Sequence, residues 1–216
     1  MENHPNKPFY DRISRFYDGI AHSSERKATE EGWRLLSVKP GERILEIGFG
    51  TGHSLVEFAR LVGATGHVTG VDVSSGMGEV ASEKMAEAGV EDRVTIDLAA
   101  VPPLACPDAS FDAVFLSFTL ELFPLNEIPE VLAEVRRVLK PGGRCGVVCM
   151  DQPAGPENEN LMEQTYEWMH RHFPHIVDCQ PIPAVELLEQ SGFRVGEVTR
   201  MDIWGLAVAA VVADSP

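Results

Sequence analysis

The chain has 216 residues, 44% of them hydrophobic and 24% charged, with a formal net charge of −15. That size and balance suit one soluble globular domain with a core of its own. So acidic a chain repels phosphate backbones, which argues against a nucleic-acid partner, and no apolar run approaches the roughly 20 residues of a membrane span. Cys106, Cys145, Cys149 and Cys179 form no C-x-x-C pair and read as reduced thiols. The N-terminal MENHPNKPFYDRISRF lacks the apolar h-region of a signal peptide. A cytoplasmic location is expected.

Residues 1–38 precede the first strand and read as one or two helices forming a lid. Phe9, Ile13, Phe16 and Ile20 follow helical spacing, with Tyr10 and Tyr17 beside them. Such a helix can pack on the domain or cover a ligand. Because Lys7, Arg12 and Arg15 accompany the aromatics, it also fits peripheral contact with a membrane surface.

From residue 39 to 216 the pattern is one domain of alternating strands and helices, which indicates a parallel α/β sheet. Strands are expected at Arg43–Ile47, His67–Val73, Arg93–Leu98, Phe111–Phe118 and Arg144–Met150. Helices are expected at Thr51–Leu61, Gly76–Ala88 and Asn126–Leu139, the last stopped by Pro141 and the following glycines. Residues 151–180 form an insertion that can wall a substrate site. There Met162, Tyr166, Met169 and Phe173 keep helical spacing and read as core or as pocket wall. A helix follows at Pro183–Gln190. Phe193–Asp202 and Trp204–Ala213 are joined too tightly for a crossover helix, so they pair antiparallel at one edge of the sheet. The fold class is therefore Rossmann-like: a doubly wound, mostly parallel seven-stranded sheet with one antiparallel strand near the edge.

The first strand runs into ILEIGFGTGHS, Ile44–Ser54. Glycines at 48, 50 and 52 permit a sharp turn and close approach of a ligand to backbone amides at a helix start. The dinucleotide fingerprint wants its third glycine at position 53, which is His53 here. Glu46 would repel a pyrophosphate but suits a ligand with a positive charge. Twenty residues past Gly52, Asp72 ends VTGVD, where a carboxylate can accept both hydroxyls of a ribose. A nucleoside without phosphates and with a cationic tail matches that pattern, and S-adenosylmethionine is such a molecule.

Here the sequence resembles the class I S-adenosylmethionine-dependent methyltransferases, in their UbiE-like (ubiquinone/menaquinone biosynthesis) branch. SRFYD (Ser14–Asp18), ILEIGFGTG, GVDVSSGM (Gly70–Met77), CPDASFDAV (Cys106–Val114) and RRVLKPGGR (Arg136–Arg144) carry the likeness in order. The resemblance implies S-adenosylmethionine as cofactor and S-adenosylhomocysteine as product. It implies Glu46, Gly48 and Gly50 around the methionine moiety, Gly52 in the turn and Asp72 on the ribose. Val73 and Met77 would lie beside the adenine and Ser117 near the sulfonium. Ala99, Ala100 and Val101 fall at the adenine edge; relatives often carry Asp or Asn where Ala100 stands, so backbone groups or Asp97 would take its place.

SFTLELFP, Ser117–Pro124, should floor the acceptor pocket. Where quinone-methylating relatives carry an arginine, this chain has Glu121, which can attract an amine, orient a hydroxyl, form a salt bridge or face solvent. The resemblance sets Tyr17 near the transferred methyl. Tyr17, Glu121, His170 and His172 are the candidate bases. His170 and His172 are two apart on a helix and share no face, so a metal centre is not expected. Expected partners are a small-molecule or lipid-like methyl acceptor, modified on carbon, oxygen or nitrogen. A phospholipid amine is one alternative; a non-catalytic S-adenosylmethionine-binding module is another.

Overall fold

Residues 24–152, 181–203 and 206–216 are described by a computed structural model. Helix α1 spans Ser24–Leu36, β1 Arg43–Ile47, α2 His53–Val62, β2 His67–Asp72, α3 Ser75–Ala88 and β3 Val94–Leu98. After these come β4 Phe111–Ser117, α4 Ile128–Val138, β5 Leu139–Met150, α5 Ala184–Gln190, β6 Arg194–Ile203 and β7 Leu206–Asp214. Among the described residues the strands form one seven-stranded sheet in the order β3-β2-β1-β4-β5-β7-β6. Strands β1 to β5 pair in parallel, while β7 runs antiparallel to both β5 and β6. The expected antiparallel strand near the edge is thus β7. Tyr17, His170, His172 and Trp204 lie outside the described residues.

Successive strand residues face opposite sides, so β1 feeds two cores. Leu45 and Ile47 meet Val131, Leu132 and Val135 of α4 and Leu188 of α5 on one face. Ile44 meets Leu55, Phe58 and Val62 of α2 and Leu36 of α1 on the other. Cover on both faces explains why β1 and β4 read as nearly unbroken apolar runs. Helix α1 lies directly on the sheet. A Cβ at Gly32 would overlap the Val148 side chain and reach within 3.0 Å of the Phe115 ring, so glycine is what lets the helix close. Phe115 in turn meets Phe58 edge to face at 5.2 Å between centroids.

Several boundaries shift by a residue or two from expectation, and two shifts have a clear physical cause. Helix α2 starts at His53, not Thr51, because Gly52 takes a left-handed conformation (φ 81°) and acts as its N-cap. Strand β5 starts at Leu139, five residues before Arg144. Leu139 is buried and pairs with Phe111; the register then shifts across Pro141–Gly143 before Arg144 pairs with Ala113. Pro141 favours extended backbone in the residue before it, so the chain leaves the helix directly into the sheet. Among the described residues no helix is long and apolar enough to cross a membrane.

Candidate active site

The strand order reverses around β1, and ligands in such sheets lie beyond the carboxyl ends of the strands at that point. The turn after β1 is built for close approach. Gly48 sits at φ +73°, and any Cβ there would strike Thr119. Its amide donates to Val71 O at 2.7 Å, tying the turn to β2. The Gly50 amide donates to Asp72 Oδ2 at 3.0 Å and the Ser74 amide to Asp72 Oδ1 at 2.9 Å. Ser74 then caps α3, its hydroxyl accepting from the Met77 amide at 3.1 Å. One carboxylate therefore holds both loops at once.

These loops border a cleft of about 650 Å³, well within the usual range for ligand sites. Glu46 lines it and is only 2% exposed. Among the described residues its Oε2 has no hydrogen-bond partner, while Ser54 hydrogen-bonds to its carboxyl. Burial drives the Glu46 carboxyl far above the usual carboxylate range; the Ser54 bond opposes this and the nearby Asp72 charge adds to it. An orphaned, buried acceptor beside a second carboxylate fits a ligand that brings its own cation. Gly50, whose absent Cβ would meet nothing within 4 Å, leaves room for that ligand against the backbone. The residues present thus fit S-adenosylmethionine, which carries an ammonium, a sulfonium and a ribose diol.

Helix α1 supplies the opposite wall. Trp33 Nε1 donates to Ser54 Oγ at 3.1 Å. One turn earlier, Thr29 Oγ1 and Ser117 Oγ, at the end of β4, share a hydrogen bond of 2.9 Å. A further turn back, Glu25 lines the cleft, its carboxyl raised by burial to about 7. Phe118, next after β4, adopts φ 49°, a conformation rare outside glycine, and lines the same cleft. Arg60 and Lys84 line it too; Lys84 donates to His53 Nε2 at 2.9 Å and to Thr51 Oγ1 at 3.2 Å.

Of the residues singled out in the sequence, Glu46, Gly48, Gly50, Asp72, Val73, Met77, Ala99 and Ser117 come together on the cleft wall. Four do not. Gly52 is buried under α3, where its Cβ would meet Ala81 at 2.8 Å. Asp97 is not on the cleft wall and Ala100 faces solvent, so of the expected adenine edge Ala99 and Val101 line the cleft; alternate residues of an extended segment face opposite ways. Glu121 is fully buried rather than in solvent, and among the described residues it forms no salt bridge. Its Oε1 accepts from the Met150 amide at 3.2 Å, its Oε2 has no partner, and burial pushes the carboxyl up to about 8. Glu25, Thr29 and Trp33 were not singled out, although their spacing of four residues places them on one helix face. Tyr17 and His170 lie outside the described residues. Among the described residues no cluster of His, Cys, Asp or Glu is arranged to hold a metal ion.

Comparison with known proteins agrees with this geometry. Residues 44–143 match a family model described as "Methyltransferase domain". The ubiquinone/menaquinone biosynthesis C-methyltransferase UbiE of Teredinibacter turnerae is 34% identical over 158 residues, which cover 73% of this chain and 60% of that one. The demethylmenaquinone methyltransferase of Lactobacillus johnsonii is 28% identical, covering 94% of this chain and 92% of that one. Among solved structures, an S-adenosylmethionine-dependent methyltransferase from Aquifex aeolicus superposes with a TM-score of 0.66 at 22% identity, covering 96% of this chain and 98% of that one. The chain spans about 60% of the length of the first of these relatives. With the glycine turn, Glu46 and Asp72 assembled at the switch point of the sheet, the chain carries a methyltransferase domain similar to those of the UbiE-like S-adenosylmethionine-dependent methyltransferases.

Proposed function

We propose that this chain moves a methyl group from S-adenosylmethionine to a small aromatic acceptor held between α1 and the loop after β4. The observation that carries the reading is Glu46: a buried carboxyl with an orphaned oxygen, on the wall of a cleft and beside Asp72. The cofactor supplies a sulfonium-activated methyl when bound. Asp72, fixed by the Gly50 and Ser74 amides at the end of β2, would face the ribose diol. Glu46 would take the cationic tail, and Met77, Val73 and Ala99 would flank the base. Phe118, Leu122 and Phe123 give the acceptor side an apolar, partly aromatic wall. Holding the acceptor atom roughly 3–3.5 Å from the methyl carbon, in line and away from water, is the main contribution asked of the protein.

The names of the relatives point to ring-carbon methylation of quinone-like acceptors, and the aromatic wall suits a ring. Glu121, where the resemblance places an arginine in quinone-methylating relatives, argues for an acceptor other than theirs. The test is turnover with labelled S-adenosylmethionine and a set of hydroquinones, phenols and aryl amines. Label transfer to a ring-bearing acceptor is expected. Cofactor binding without transfer to any of them would favour a non-catalytic binding module.

A further inference from the structure

Three successive turns of one face of α1 reach the cleft, and each meets a different part of its wall. Trp33 bonds Ser54, and Ser54 bonds Glu46, so that turn stands at the cofactor's cationic end. Thr29 bonds Ser117 at the end of β4. Glu25 lies one turn further, roughly 6 Å along the helix from Thr29 and away from Glu46. It lines the same cleft, one turn farther along α1 from the Trp33–Ser54–Glu46 end than Thr29. Nothing in the cofactor-binding geometry uses it.

The surroundings of Glu25 are acidic. Glu121, in the helical turn Leu120–Leu122 after β4, is close enough for the two charges to repel, and its Oε2 is buried and unpartnered. Cys149, in β5, is near enough to both Glu121 and Asp151 for their charges to act on it, and Asp151 is held by Arg200 at 2.8 Å. Arg26, next along α1, is the cation nearest in sequence and also lines the cleft. Two carboxyls so placed do not both ionise readily, and the fully enclosed Glu121 keeps its proton longer, which leaves Glu25 as the group that can exchange one near neutral pH.

We propose that Glu25 is the proton acceptor of the methyl-acceptor subsite, which is therefore built for a molecule presenting an acidic aromatic hydroxyl. This rests on the methyltransferase reading above and deepens it. Glu25 accepts the hydroxyl hydrogen bond and takes its proton as the O–H bond breaks. The electron pair left on the acceptor forms the new bond to the methyl carbon, and the pair of the broken sulfur–carbon bond stays on sulfur. The aromatic side chains of Phe118 and Phe123 suit the ring.

The test is calorimetric titration of phenol into the full chain loaded with S-adenosylhomocysteine, from about pH 6 to 8, a range in which phenol stays neutral. In the wild-type protein, phenol affinity should rise with pH as Glu25 ionises. Glu25→Gln should bind phenol about tenfold more weakly or worse, with no such rise, because a charged acceptor is lost. Its affinity for S-adenosylhomocysteine should stay within about twofold, which also reports that the variant is folded. The proposal is overturned if wild-type protein loaded with S-adenosylhomocysteine ignores phenol, prefers phenethylammonium, or binds phenol no better than Glu25→Gln; the methyltransferase reading survives each of these. Failure of the wild-type protein to bind S-adenosylhomocysteine at all overturns both.

Discussion

Glu121→Gln should make the protein more stable in mildly alkaline solution and less stable in mildly acidic solution. The Glu121 carboxyl is raised by burial to about 8 from an ordinary 4.5. The folded state therefore keeps a proton that the unfolded chain releases. The stability this group contributes is complete below about 4.5 and declines as pH climbs through about 8. At about 1.4 kcal/mol per pH unit, the decline amounts to at most roughly 5 kcal/mol. Glutamine has the same shape and no charge to suppress. It introduces instead an amide nitrogen where Oε2 has no partner, at a cost of about 1–3 kcal/mol. The net effect is a gain of roughly 2–4 kcal/mol above about pH 8, turning into a loss of about 1–2 kcal/mol near pH 5. Urea unfolding curves across that range, with m-values compared, measure it. Wild-type and variant curves that stay parallel at every pH would refute the burial-driven protonation of Glu121.

Gly48→Ala should fail to bind S-adenosylhomocysteine and lose about 1–3 kcal/mol of stability by the same unfolding assay, because φ +73° is costly for alanine and its Cβ would strike Thr119. Gly32→Val should destabilise by about 1–3 kcal/mol or more, since its branches would press on Val148 and Phe115; an unchanged thermal midpoint would show that α1 does not rest on the sheet as described.

Much of this fold was legible because its signals are local. The strand at Arg43–Ile47 was read with its exact ends: an apolar run stops where glycines begin. The antiparallel pairing of β6 and β7 followed from a connection too short for a helix. Misread boundaries, at His53 and Leu139, depend on a left-handed glycine and on a pairing between Phe111 and Leu139, and the second is not local in sequence. On the site, residues adjoining the glycine turn were found because chain proximity and spatial proximity coincide there. Glu25, Thr29 and Trp33 were missed because their partners, Glu121, Ser117 and Ser54, are brought close only by tertiary packing. Glu121 was placed in the right loop, yet no periodicity in Ser117–Pro124 says that its side chain turns inward.

Binding of the methyl donor itself tests the whole account most directly. S-adenosylhomocysteine titrated calorimetrically into wild-type protein should bind, and Asp72→Asn, which keeps the shape but removes the charge, should bind at least about tenfold more weakly. Equal affinity in the two proteins, or no heat from the wild type, would contradict it.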